Sequence, residues 1–258
     1  MPDISTTLLI VLCLAAAAAG WIDAVVGGGG LLLLPALLLG LPQAHPATVL
    51  GTNKAVAIVG TTGAAVTYAR KAPVDVKLAV RIGLAAVAGS MGGALLADGI
   101  SKDAMRPLIM AVLLLVGAFV VFKPAFGTAP AAAPAGRQRV LLAIGLAGLG
   151  IGFYDGLIGP GTGTFLVLAL TALLHLDLVN ASATAKIVNV CTNAGALVMF
   201  AYQGRVLWQL AALMAAFNLA GGMVGARMAL KKGSGFVRGV LLAVVAALVL
   251  KLGFEQFG

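Results

Sequence analysis

Long apolar runs separated by short polar or glycine-rich breaks fill this chain. The runs cover residues 6–26, 31–39, 46–69, 76–97, 104–122, 140–158, 164–174, 178–202, 207–230 and 236–250. A helix needs about 20 apolar residues, at 1.5 Å each, to cross a bilayer core. Eight runs reach or approach that length. The pattern predicts an all-α polytopic membrane protein of about eight long transmembrane helices. Runs 31–39 and 164–174 are too short to span and follow the glycine-rich stretches 27–30 and 159–163. They are expected to be half-helices.

Composition agrees with the pattern. Of 258 residues, 61% are hydrophobic and only 10% are charged, against about a quarter in soluble domains. Mean hydropathy is +1.10. So few charges cannot solvate a soluble enzyme, and the pI near 10 is no sign of nucleic acid here. The basic residues sit in short loops between apolar runs, a membrane distribution. The run 6–26 is expected to be retained rather than cleaved. The chain starts Met1-Pro2-Asp3 and has no Lys or Arg before Lys54, whereas a signal peptide needs a basic n-region. Cys13 and Cys191 lie inside apolar runs and form neither metal spacing nor a disulfide framework.

The chain repeats itself at an offset of 132 without a gap. Gly20 corresponds to Gly152, Asp23 to Asp155, Gly27 to Gly159, Thr52 to Thr184, Lys54 to Lys186, Gly89 to Gly221 and Gly93 to Gly225. The expected organisation is a first half over 1–122, a cytoplasmic Pro/Ala-rich linker over 123–139, and a second half over 140–258. Such duplication is typical of secondary transporters. Charge placement predicts inverted halves. With Lys54 and Lys186 set aside, inversion puts 11 basic residues on one side and 4 on the other; parallel halves give 9 and 6. Inversion places both termini outside. Each short run then either doubles back with its long neighbour or crosses with it.

Candidate chemistry follows from the few deep polar residues. Lys54 is roughly 13 Å from the start of its run, too deep to snorkel easily. Lys186 has the same depth. A charge there costs at least about 2.5–3.5 kcal/mol. Two ammonium groups at repeat-related positions point to an anion site between the halves. The breaks give a second pointer. Gly28, Gly29 and Gly30, and Gly161, Thr162, Gly163 and Thr164, begin the short helices. Free backbone N–H groups and the positive dipole end make such starts anion-binding, and two threonine hydroxyls add donors. Thr52 and Asn53 flank Lys54; Asn189 and Asn193 follow Lys186 on one helical face. These side chains either bond one another or complete the anion's shell. Asp23 and Asp155 precede the glycine clusters. They either neutralise the lysines or carry protons that leave the site cationic when an anion binds. Asn218 has Ala86 as its counterpart and ranks lower.

These residues resemble the sulfite exporter TauE/SafE family of permeases. The likeness lies in Asp23-Ala24-Val25-Val26-Gly27-Gly28-Gly29-Gly30, Pro35 and Leu50-Gly51-Thr52-Asn53-Lys54. It continues in the run from Asp155 through Gly159-Pro160-Gly161-Thr162-Gly163-Thr164 and in Ala183-Thr184-Ala185-Lys186-Ile187-Val188-Asn189. The resemblance covers almost the whole chain. It implies a bacterial inner-membrane permease for sulfur-containing anions such as sulfite or small organosulfonates. The lysine after the Gly-Thr pair departs from the part of the family associated with sulfite, so it argues for an anion without choosing one. The expected function is secondary transport by alternating access with proton coupling; an anion channel, or a carrier for another small organic anion, is the alternative. No enzyme is expected: Ser90 and Ser182 are the only serines within runs, and neither has a nucleophile motif. No cofactor or metal is expected. The expected partners are a small anion and the lipid bilayer, with a homodimer as an option and no nucleic acid.

Overall fold

A computed structural model describes residues 5–101, 104 and 136–257. Apart from Ala104, the expected run 104–122 lies outside the described residues, as does most of the linker. Those described form helices and connections, with no strand among them. The helices are α1 (Thr6–Val26), α2 (Gly29–Gly40), α3 (Pro46–Ala69), α4 (Val76–Ala97), α5 (Arg137–Leu157), α6 (Thr162–Leu174), α7 (Leu178–Tyr202) and α8 (Trp208–Phe257). Six of them, all but α2 and α6, are long and apolar enough to cross a membrane.

Local chemistry sets the helix ends. Ser5 caps α1 by accepting from the Leu8 N–H, and Asp75 caps α4 by accepting from Leu78. Asp177 accepts from the N–H groups of Val179 and Asn180 at the start of α7. Its counterpart His45 accepts from Ala47 through Nδ1, with Pro46 in the first turn of α3. The wider turn at Ala143–Gly150 gives α5 a π-helical middle. Helix α8 holds the runs 207–230 and 236–250 as two helical segments on either side of Gly233, whose φ of 74° and ψ of −171° are not helical.

The short helices double back. Gly29 lies against Ala19 and Asp23 of α1, and Gly40 against Leu8 and Leu12. Thus α2 runs back along α1, and at 12 residues it covers roughly 18 Å, short of the bilayer core. In the second half, Leu174 at the end of α6 shares a buried cluster with Val140 and Ala143 near the start of α5.

The long helices pair across the halves. Gly221 of α8 meets Ala17 and Trp21 of α1, and Gly225 meets Trp21 and Ala24, so the two contact registers rise together. The repeat-related pair does the same: Gly89 of α4 meets Leu149 and Phe153 of α5, and Gly93 meets Phe153 and Leu157. Small residues permit this close backbone approach. Helix α3 packs on α8 through Gly60 and Asn218, and α7 packs on α4 through Gly195, Val87 and Ser90. Between α3 and α7, Gly51 near the start of one touches Phe200 near the end of the other.

Candidate functional site

The deep charges form two ion pairs, each joining one half to the other. Lys54 Nζ of α3 lies 2.6 Å from Asp155 Oδ2 of α5, and both side chains are 2% exposed. Lys186 Nζ of α7 donates to Asp23 Oδ2 of α1 at 2.9 Å, with exposures of 0% and 16%. The pairs map onto each other under the 132-residue offset. Helices α1 and α5 carry the acids, α3 and α7 the lysines, and each pair crosses between the halves.

The two pairs differ in their surroundings. Asp23 Oδ2 also accepts from the Thr61 hydroxyl at 3.3 Å, and Asp23 is the more exposed acid. Asp155 is sealed, and its Oδ2 meets Lys54 without hydrogen-bond alignment. Gly159, with φ of 86°, stands beside Lys54; a Cβ there would lie 3.0 Å from Nζ. An ammonium has three donors. Among the described residues each ammonium meets one carboxylate oxygen, which leaves donor capacity at both.

The glycine breaks meet one another next to these pairs. Gly27 turns out of α1 at φ 77°, a left-handed conformation that only glycine adopts cheaply. A Cβ on Gly163 would lie 2.5 Å from Gly27 Cα. The Thr164 N–H donates to Gly27 O at 3.2 Å, and its hydroxyl donates to Val26 O at 2.8 Å. Thr164 thereby fastens the start of α6 to the end of α1. Gly30 of α2 faces Pro160 and Gly159 of the second break.

The expected polar residues divide into those tied to backbone and those left open. Thr162 donates to Gly159 O at 2.8 Å, Thr52 to Thr48 O at 2.7 Å, and Thr184 to Asn180 O at 2.9 Å. Thr52 Oγ1 also accepts from the Leu207 N–H, holding the start of α8. Asn189 accepts from Thr192. Asn193 is buried, and it is the repeat counterpart of Thr61. Asn53 is buried beside Lys54, and its Oδ1 has no hydrogen-bond partner. Gly28 caps α2 without a side-chain bond, and Gly161 caps α6 in a left-handed conformation.

Sequence reasoning missed three residues and undervalued a fourth. Thr61 supports Asp23; the signal for it was its alignment with Asn193. Tyr68 donates to Ala24 O at 2.9 Å, and Tyr154 donates to Pro160 O; both buttress the breaks. Neither has a polar counterpart, since Tyr68 aligns with Phe200 and Tyr154 with Ile22. Asn218 matters more than its unmatched position suggested: Nδ2 donates to Ala16 O at 2.8 Å and ties α8 to α1.

Similarity to known proteins covers the same elements. The chain is 35% identical over 222 residues to a probable membrane transporter protein, ORF9, of Sinorhizobium sp, covering 84% of this chain and 82% of that one. It is 34% identical over 219 residues to the probable membrane transporter protein YfcA of Escherichia coli K12, covering 83% and 78%. A probable membrane transporter protein of Haemophilus influenzae is 33% identical over 225 residues, covering 86% and 85%. No solved structure shows a significant match. The family model described as sulfite exporter TauE/SafE matches residues 12–252, which takes in both breaks and both ion pairs. With six apolar spanning helices among its described residues, the chain belongs to the sulfite exporter TauE/SafE family and is a multi-span membrane protein of a transporter family, not an enzyme family.

Proposed function

We propose that the chain is a secondary transporter that moves a small sulfur-containing anion, such as sulfite or an organosulfonate, across the bacterial inner membrane by alternating access with proton coupling. The observation that carries this reading is the reciprocal pair of buried ion pairs, Lys54–Asp155 and Lys186–Asp23. With all four groups charged the site is neutral and has little attraction for an anion. A proton on either aspartate removes its negative charge and releases the lysine. The site is then cationic, and the freed ammonium donors can take the anion's oxygens. Release of the anion together with the proton restores the pair. Both end states avoid an uncompensated buried charge, and this links anion movement to proton movement.

The halves are proposed to be an inverted repeat with both termini outside. Three packing registers support this. Helix α8 runs with α1 and α4 runs with α5, while α3 and its repeat mate α7 meet start to end. The short connections 70–75 and 203–207 also make each adjoining pair of spanning helices run oppositely. The basic-residue bias agrees with the same orientation. Rocking of one half against the other would then expose the paired charges to each side in turn.

The test is uptake by proteoliposomes against sulfite, sulfate, thiosulfate, sulfoacetate and a carboxylate analogue. Uptake of a sulfur oxyanion is expected, with loss in Lys54→Ala and Lys186→Ala. Asp23→Asn and Asp155→Asn should flatten its pH dependence. Unchanged anion binding in both lysine variants would remove the proposed site. Unchanged pH dependence in both aspartate variants would remove the coupling alone.

A further inference from the structure

A groove of about 750 Å³ runs between α3 and α8. Its walls are apolar, from Val66 of α3 and Leu219 and Met223 of α8. Three cations, Arg70, Lys71 and Arg227, gather in the same groove. All three are exposed, and none forms an ion pair among the described residues. Arg70 and Lys71 follow the end of α3, where a helix dipole favours cations. Arg227 sits six residues before the break in α8 at Gly233, outside the last turn where that effect is strong.

The repeat supplies an internal comparison. The counterparts of Arg70, Lys71 and Arg227 are Tyr202, Gln203 and Leu95. The equivalent surface of α7 and α4 therefore carries none of the three charges. General packing demands on the repeated helices do not require them.

We propose that this groove binds an anionic phospholipid, its acyl chain along Val66, Leu219 and Met223 and its phosphate on Arg70, Lys71 and Arg227. An apolar wall at membrane depth suits an acyl chain, and clustered basic side chains where spanning helices end suit an anionic headgroup. Arginine adds forked donors that match phosphate oxygens. The site does not depend on which substrate the protein carries.

The experiment titrates the purified full chain in neutral detergent with phosphatidylglycerol, phosphatidylcholine or inorganic phosphate, and counts bound lipid by native mass spectrometry. One saturable phosphatidylglycerol is expected, preferred over phosphatidylcholine by about a hundredfold, with about a fivefold loss of preference per cation removed. Arg70→Gln/Lys71→Gln/Arg227→Gln should abolish the preference. Val66→Trp keeps every charge and fills the groove, so it should weaken lipid binding without altering topology. The control Lys77→Gln/Arg81→Gln/Arg139→Gln removes as many cations outside the groove and should retain the preference. Equal loss in the control, equal binding of phosphatidylcholine, or displacement of the lipid by millimolar inorganic phosphate would overturn the proposal.

Discussion

Replacing Lys54 by Met leaves Asp155 buried at 2% exposure without its cation. At 2.6 Å the Coulomb attraction is about 6 kcal/mol for an effective dielectric of 20. Desolvation of two ions costs several kcal/mol each, so the intact pair contributes little net stability. Its disruption is another matter: an orphaned buried charge costs about 3–5 kcal/mol. Lys54→Met is therefore expected to lose about that much, and Lys54→Met/Asp155→Leu to recover most of it. The coupling between the two sites should be at least about 3 kcal/mol, well above the additive limit for independent positions. The same cycle at Lys186 and Asp23 should give a smaller coupling, because Asp23 is 16% exposed and keeps its bond from Thr61. Unfolding in mixed micelles, followed by circular dichroism, measures both cycles. If Lys54→Met and the double variant are equally destabilised, the ammonium is not compensating Asp155 and the charge-balance reasoning fails. Recovery of stability in the double variant should come without recovery of anion uptake, which separates folding from function.

Three further outcomes follow from the geometry. Gly27→Ala should cost about 1–3 kcal/mol in backbone strain and more through its clash with Gly163; Gly204→Ala, also at positive φ but with nothing within 4 Å, should show the strain alone in the same unfolding assay. Asn218→Ala should lose about 1–2 kcal/mol by releasing Ala16 O, lowering transport without moving its pH profile. Arg205→Ala breaks a pair with Asp98 at 2.5 Å whose side chains are 34% and 28% exposed and should change stability by less than about 1 kcal/mol, with transport near the parent's.

Much of the architecture was legible before any packing was known. Hydrophobic run length located the six candidate spans among the described residues, because crossing a bilayer sets that length; it counted 207–230 and 236–250 separately, and these share α8 on either side of Gly233. The glycine breaks marked where α2 and α6 begin. The 132-residue registration singled out Lys54, Lys186, Asp23 and Asp155, because deep charges are rare and a repeat makes chance an unlikely source. The threonines were harder to read. Their type allowed either ligand binding or backbone bonding, and the helix carbonyl one turn earlier took the hydroxyls of Thr52 and Thr184. Thr61 and Asn218 carried little signal, since each works through a helix distant in sequence.

Pairing was beyond the sequence. Within its own half Lys54 has Asp23 as the only acid deep in a run, and linear order favours that partner. The fold instead gives Lys54 to Asp155 and Lys186 to Asp23. The reason is the exchange of neighbours between halves: α1 packs on α8, α5 on α4, and the doubled-back α2 and α6 bring the two breaks together. Sequence determines which groups must be compensated, because burial of a charge is costly wherever it occurs. Tertiary packing decides which partner does it, because attraction falls with distance through space and takes no account of separation along the chain.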